Sequence, residues 1–178
     1  MRRTESRLLV TALVAAVGVT IPAAVRAQDL SDPQVAHVAV TANTIDAELA
    51  MLALQRAQSS EVKAFAQTMV DDHNGVNKQA AALATKLKVT PATNDVSTSL
   101  QKGAADARAK LEKLKGSAFD RAYMTREVEY HKAVLDAIDN LLIPTTQNGE
   151  LRELLKTVRP AIAAHLERAQ RIQQSVTQ

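Results

Sequence analysis

From Val62 to Leu87 the positions Val62, Ala66, Met69, His73, Val76, Ala80, Leu83 and Leu87 alternate steps of four and three without a break. That spacing keeps one face of an α-helix apolar for seven turns and cannot serve a strand, whose period is two. Two further segments repeat the pattern: Met124, Val128, His131, Leu135, Ile138, Leu142, and Leu151, Leu155, Val158, Ile162, His165, Ala169, Ile172, Val176. A stripe of Val38, Ala42, Ile45, Leu49 and Leu52 marks another helix. Each of the three longer seams contains a single ionisable residue, and in each it is a histidine.

Punctuation between these stripes sets the helix limits. The first helix is expected from Asp32-Pro33, read as a cap followed by proline at the first helical position, to about Ala57. Ser59-Ser60 separates it from a second, Glu61 to Lys88, which Val89-Thr90-Pro91 ends. A shorter amphipathic piece follows, with Leu100, Ala104, Ala107, Leu111 and Leu114 on one stripe and Gly116 closing it. Ser117 and Asp120 have the spacing of a capping box for the next helix, which reaches about Leu142. Pro144 to Gly149 reads as a turn before a last helix from Glu150 nearly to the C-terminus. The expected fold is all-α: a four-helix bundle of two hairpins, with a short extra helix in the crossover.

Only 2% of residues are aromatic, which suits neither an all-β core nor the lining of a haem pocket. With no cysteine, disulfides, thiolate zinc sites and iron–sulfur clusters are excluded, so metal chemistry would have to use His, Asp, Glu or Met. The net charge of +3 and pI near 9.3 suggest a nucleic-acid partner until the charges are located. Arg2, Arg3, Arg7 and Arg26 precede Gln28, as does Glu5. Without them the 22 basic and 19 acidic residues become equal in number, and no field remains to attract phosphate backbones. Residues 1–27 read as an export signal, with a basic start, an apolar stretch from Leu8 to Val19 and a small-residue exit at Val25-Arg26-Ala27. The alternative is a retained anchor, since Leu8 to Val25 is just long enough to span. Cleavage leaves one helical domain, 28–178, without a stable transmembrane segment, in the periplasm or secreted, with an envelope protein or a second copy as conceivable partners.

Depth along the helices sorts the four histidines. His73, His131 and His165 each fall near the middle of a long helix, whereas His37 lies near the start of the first and is expected to stand apart. Folding about the turn near Thr146 offsets His131 from His165 by about 6 Å. Folding about Ala57 to Ser60 sets Glu48 level with Met69, one turn from His73, while Glu127 shares the face of His131 at i−4 and Asp72 flanks the seam of His73. Three buried imidazoles need partners, because each unsatisfied ring nitrogen costs about 1–3 kcal/mol. A divalent transition metal (copper, zinc, iron or manganese) held by His73, His131 and His165 with Glu48 or Glu127 is one solution. A metal-free layer of His–carboxylate pairs that fixes register is the other. Met69 and Met124 read as core filler or as thioether donors to Cu(I). Gly75 and Pro160 read as local shaping, by close helix approach and by a kink at the carbonyl of Lys156, respectively.

Phe65-Ala66-Gln67-Thr68-Met69-Val70-Asp71-Asp72-His73 with Asn77, Phe119-Asp120-Arg121-Ala122-Tyr123 leading to His131, and His165-Leu166 resemble an exported bacterial family known as domain of unknown function 4142. The resemblance implies a ferritin-like helical bundle and no established activity, and it carries over to Glu48, His73, His131 and His165. Ferritin-like di-iron proteins place Glu three residues before His on two helices. Here those places hold Val70, Val128 and Ile162, which argues against ferroxidase chemistry. No nucleophile elbow or phosphate loop points to an enzyme.

Overall fold

The computed structural model describes residues 30–177, and the export signal read at 1–27 lies outside them. Helix α1 (Asp32–Arg56) pairs with α2 (Ser60–Leu87), and α4 (Gly116–Ala137) pairs with α5 (Gly149–Thr177). Helix α3 (Asp95–Leu111) forms the crossover and packs against α1 and α4. The fold is a four-helix bundle with a short fifth helix between its hairpins. Among the described residues, no helix is long and apolar enough to cross a membrane.

Two residues expected to cap their own helices are used over longer range. Ser31 precedes α1, its N–H donating to Gln34 Oε1 at 3.0 Å. The carboxylate of Asp32 instead accepts from the Gln147 and Asn148 N–H groups at 2.8 and 2.9 Å. At the other end of the bundle Ser117 and Asp120 form no capping box: α4 starts from Lys115 without a side-chain cap. Asp120 accepts from the Gln58 and Ser59 N–H groups at 3.0 and 2.8 Å. Both acids thus satisfy backbone donors in a neighbouring connection.

The end of α4 also departs from the α-helical period. A π-turn, Ile138–Leu142, is followed by a last turn, Ile143–Thr145, so Pro144 is helical and the connection shrinks to residues 146–148. Widening suits Pro144, which has no N–H to continue the ladder. Asn148 then caps α5, accepting from the Glu150 and Leu151 N–H groups at 3.0 Å. Gly75 is not a point of close helix approach, since a Cβ there would meet nothing within 4 Å. Gly116 is required, with φ +56° and Gln58 Oε1 2.9 Å from any Cβ. Helix α5 runs through Pro160, which is exposed.

Two apolar clusters fill the bundle. One contains Ile45, Leu49, Phe65, Met69, Phe119, Tyr123, Met124 and Ile172; the other contains Val35, Val38, Val96, Ile138, Leu142, Leu151, Leu155 and Ile162. Buried histidines adjoin the first cluster on three helices: His73 follows Met69 on α2, His131 follows Tyr130 on α4, and His165 precedes Ala169 on α5. Met69 and Met124 both belong to that apolar cluster.

Candidate metal centre

Because α2, α4 and α5 pack side by side, His73, His131 and His165 arrive at one depth. Their ring centroids are 6.0 Å apart for His73–His131, 5.4 Å for His73–His165 and 5.5 Å for His131–His165. All three are buried. One nitrogen from each lies within 4.8 Å of the others, as in a site for one cation.

The outer nitrogen of each ring faces an acceptor, which places a proton on that nitrogen. His73 Nδ1 donates to Asn43 Oδ1 at 2.6 Å, His131 Nδ1 donates to the Glu127 carbonyl at 2.9 Å, and His165 Nε2 donates to Asp72 Oδ2 at 2.9 Å. A carbonyl or carboxylate can only accept, so the proton sits on the ring nitrogen. The inner atoms His73 Nε2, His131 Nε2 and His165 Nδ1 have no hydrogen-bond partner. Asp46 Oδ2 joins them, 2.9 Å from His73 Nε2 and 3.8 Å from His131 Nε2, without hydrogen-bond geometry to either. Outer donation that leaves the inner lone pair free is how metal-ligating histidines are oriented.

Beside the nitrogens lies a charged group. Arg126 Nη1 donates to Asp46 Oδ1 and, at 2.6 Å, to Glu127 Oε1. Its guanidinium lies 3.9 Å over the Tyr130 ring, and the Tyr130 hydroxyl donates to the Ala42 carbonyl at 2.9 Å. Both carboxylates are fully buried. Burial would raise the Asp46 carboxyl, but Arg126, followed by His73 and His131, holds it well below the usual carboxylate range. Glu127 is pushed up to about 8, first by burial and then by the charge of Asp46, with Arg126 only partly offsetting them. Burial lowers His131 to about 4 despite the nearby Asp46, and it lowers His165 too, despite Asp72. An ionised Asp46, with His131 and His165 pushed toward their neutral forms, presents the protonation states that bind a cation.

The structure therefore brings His73, His131, His165 and Glu127 into one polar centre. Glu48 is not in it: the residue is exposed, and α1 turns Asp46 inward instead. His37 is half-buried, faces Thr41 Oγ1 at 3.5 Å and belongs to neither cation-sized group among the described residues. Sequence reasoning passed over Asp46, Arg126 and Asn43. A signal for the first existed, since Asp46 and Glu48 are the only acids between Asp32 and Glu61.

The sequence model of the domain of unknown function DUF4142 matches residues 18–172. The chain belongs to that family. No curated protein matches it by sequence. Among solved structures, CopM in the Cu(II)-bound form is similar, with a TM-score of 0.62 and 15% identity over 82% of this chain and 97% of that one. At that identity the likeness establishes a shared helical-bundle fold.

Proposed function

We propose that this DUF4142 protein is an exported metal-handling bundle that holds a transition-metal ion at mid-bundle through His73, His131 and His165, with Asp46 as the carboxylate. The observation that carries the reading is the set of three inner nitrogens, each on a ring oriented by an outer acceptor and none with a hydrogen-bond partner. Without a cation, those nitrogens and Asp46 Oδ2 stay unsatisfied at a cost of about 1–3 kcal/mol per group. With one, each becomes a ligand. Three imidazoles and one carboxylate suit zinc, copper or iron better than hard ions such as calcium or magnesium. The Cu(II)-bound form of the similarly folded CopM supports a metal without naming the ion here. The basic and apolar leader supports a role in the envelope, in metal supply or stress protection.

A second reading, a metal-free structural or interaction protein, draws on the Arg126 pairs, which already give the carboxylates a counter-charge. Elemental analysis of protein purified without chelator or affinity tag, beside His131→Ala, separates the two. Stoichiometric metal in the wild type and its loss in the variant, with a fall in Tm only when metal is present, supports the metal centre. Equal destabilisation with and without chelator, and no metal in either protein, supports the structural layer.

A further inference from the structure

The second cation-sized group, Asp46, Glu127 and His131, shares Asp46 and His131 with the nitrogen side. Asp46 lies between the two: its Oδ2 faces the histidines, and its Oδ1 faces away toward Arg126. One nitrogen of Arg126, Nη1, contacts both Asp46 Oδ1 and Glu127 Oε1, the position from which a bound cation would bridge two carboxylates. Glu127 Oε2 is buried without a hydrogen-bond partner and lies 3.6 Å from His131 Nδ1, whose proton is committed to the Glu127 carbonyl. The carboxylate pair therefore has more acceptor capacity than the guanidinium uses. Arg126 enters from the rim, its side chain 13% exposed, and is held flat on Tyr130.

We infer that Arg126 is a resident second cation: its guanidinium occupies a divalent-metal site formed by Asp46 and Glu127 and thereby limits the centre to one ion. The inference deepens the metal reading and rests on it for the ion at the histidines. For the carboxylate site it rests only on the Arg126 geometry. A guanidinium and a divalent ion both satisfy two buried carboxylates, but arginine comes with the chain and cannot dissociate. Removing it should both vacate the site and open its route from the surface.

The test is Co²⁺ binding by equilibrium dialysis with elemental analysis, on the wild type, Arg126→Gln and Arg126→Lys. The expected result is one ion per chain in the wild type, two in Arg126→Gln and one in Arg126→Lys, which keeps a cation. One ion in both the wild type and Arg126→Gln overturns the inference and leaves the histidine site standing. Two ions in the wild type also overturns it. No ion in the wild type with one in Arg126→Gln upholds the inference and removes the histidine reading, while no ion in any of them removes both. Should Arg126→Gln fail to fold without metal, refolding with excess Co²⁺ decides: helical circular dichroism returning with two bound ions supports the inference, and no recovery overturns it.

Discussion

The polar centre has two sides that solve burial in opposite ways. On the carboxylate side, Asp46 and Glu127 are neutralised within the chain, by Arg126 and by the raised proton affinity of Glu127. On the nitrogen side, outer hydrogen bonds to Asn43, Asp72 and the Glu127 carbonyl hold the rings, but the inner nitrogens have no hydrogen-bond partner. One side has its counter-charge within the chain and the other has none. Stability of the metal-free protein should therefore depend on the carboxylate side, and metal affinity on the nitrogen side.

The largest expected effect is on the carboxylate side. Asp46→Asn leaves Arg126 with one buried carboxylate, and removing a partner from a buried pair costs about 3–5 kcal/mol. The loss should fall near the lower figure, because Glu127 can ionise in compensation, and urea unfolding with chelator present would measure it. A loss below about 1 kcal/mol would dissolve the distinction between the two sides.

Next comes a pH dependence of the metal-free protein. Glu127 rises from 4.5 to about 8 on folding, so its contribution is full below 4.5 and is lost as pH climbs toward 8. His131 falls from 6.5 to about 4, so its contribution is present above 6.5 and is lost as pH drops toward 4. The two slopes oppose each other between 4.5 and 6.5. From 6.5 to 8 only Glu127 acts, and stability should decline by about 2 kcal/mol. Glu127→Gln should flatten that decline, as denaturation midpoints at pH 6.5 and 8 would show.

On the nitrogen side, Asn43→Ala removes the acceptor that orients His73. A loss of outer support of this kind weakens metal binding about 10- to 100-fold. Competition against a chromogenic chelator would read it, and unchanged affinity would mean that packing alone holds the ring. The smallest effects belong to residues outside both sides. Glu48→Gln and His37→Ala should leave metal loading unchanged and stability within about 0.5 kcal/mol. Lost loading in either variant would show that the centre extends beyond the residues that meet at mid-bundle.

The helix count, the two hairpins, the crossover helix and the meeting of His73, His131 and His165 were legible in the sequence. Depth follows from counting, since each residue adds about 1.5 Å along an axis and short connections set where two helices start level. Rotation about the axis does not follow from counting when a residue sits at the edge of a stripe. Asp46 and Glu48 lie about 80° to either side of the centre of the stripe Val38, Ala42, Ile45, Leu49 and Leu52, so the α1 pattern favours neither. Packing breaks the tie. Helix α1 also buries Val35, Ala50 and Ala53, which widens its inner face toward Asp46 and leaves Glu48 exposed. Arg126 eluded the reading for a stronger reason: it lies two residues from either neighbouring seam position, about 160° round α4 from the centre of the seam, and is drawn inward by two carboxylates and Tyr130. Asp32 and Asp120 likewise carried local capping patterns, but their partners lie across the fold. What the sequence determined alone was periodic and axial: which segments are helical and how far along each its histidine lies. The tertiary structure decided what is rotational and long-range, because which charged side chain turns inward depends on a partner that the chain brings up from a different helix.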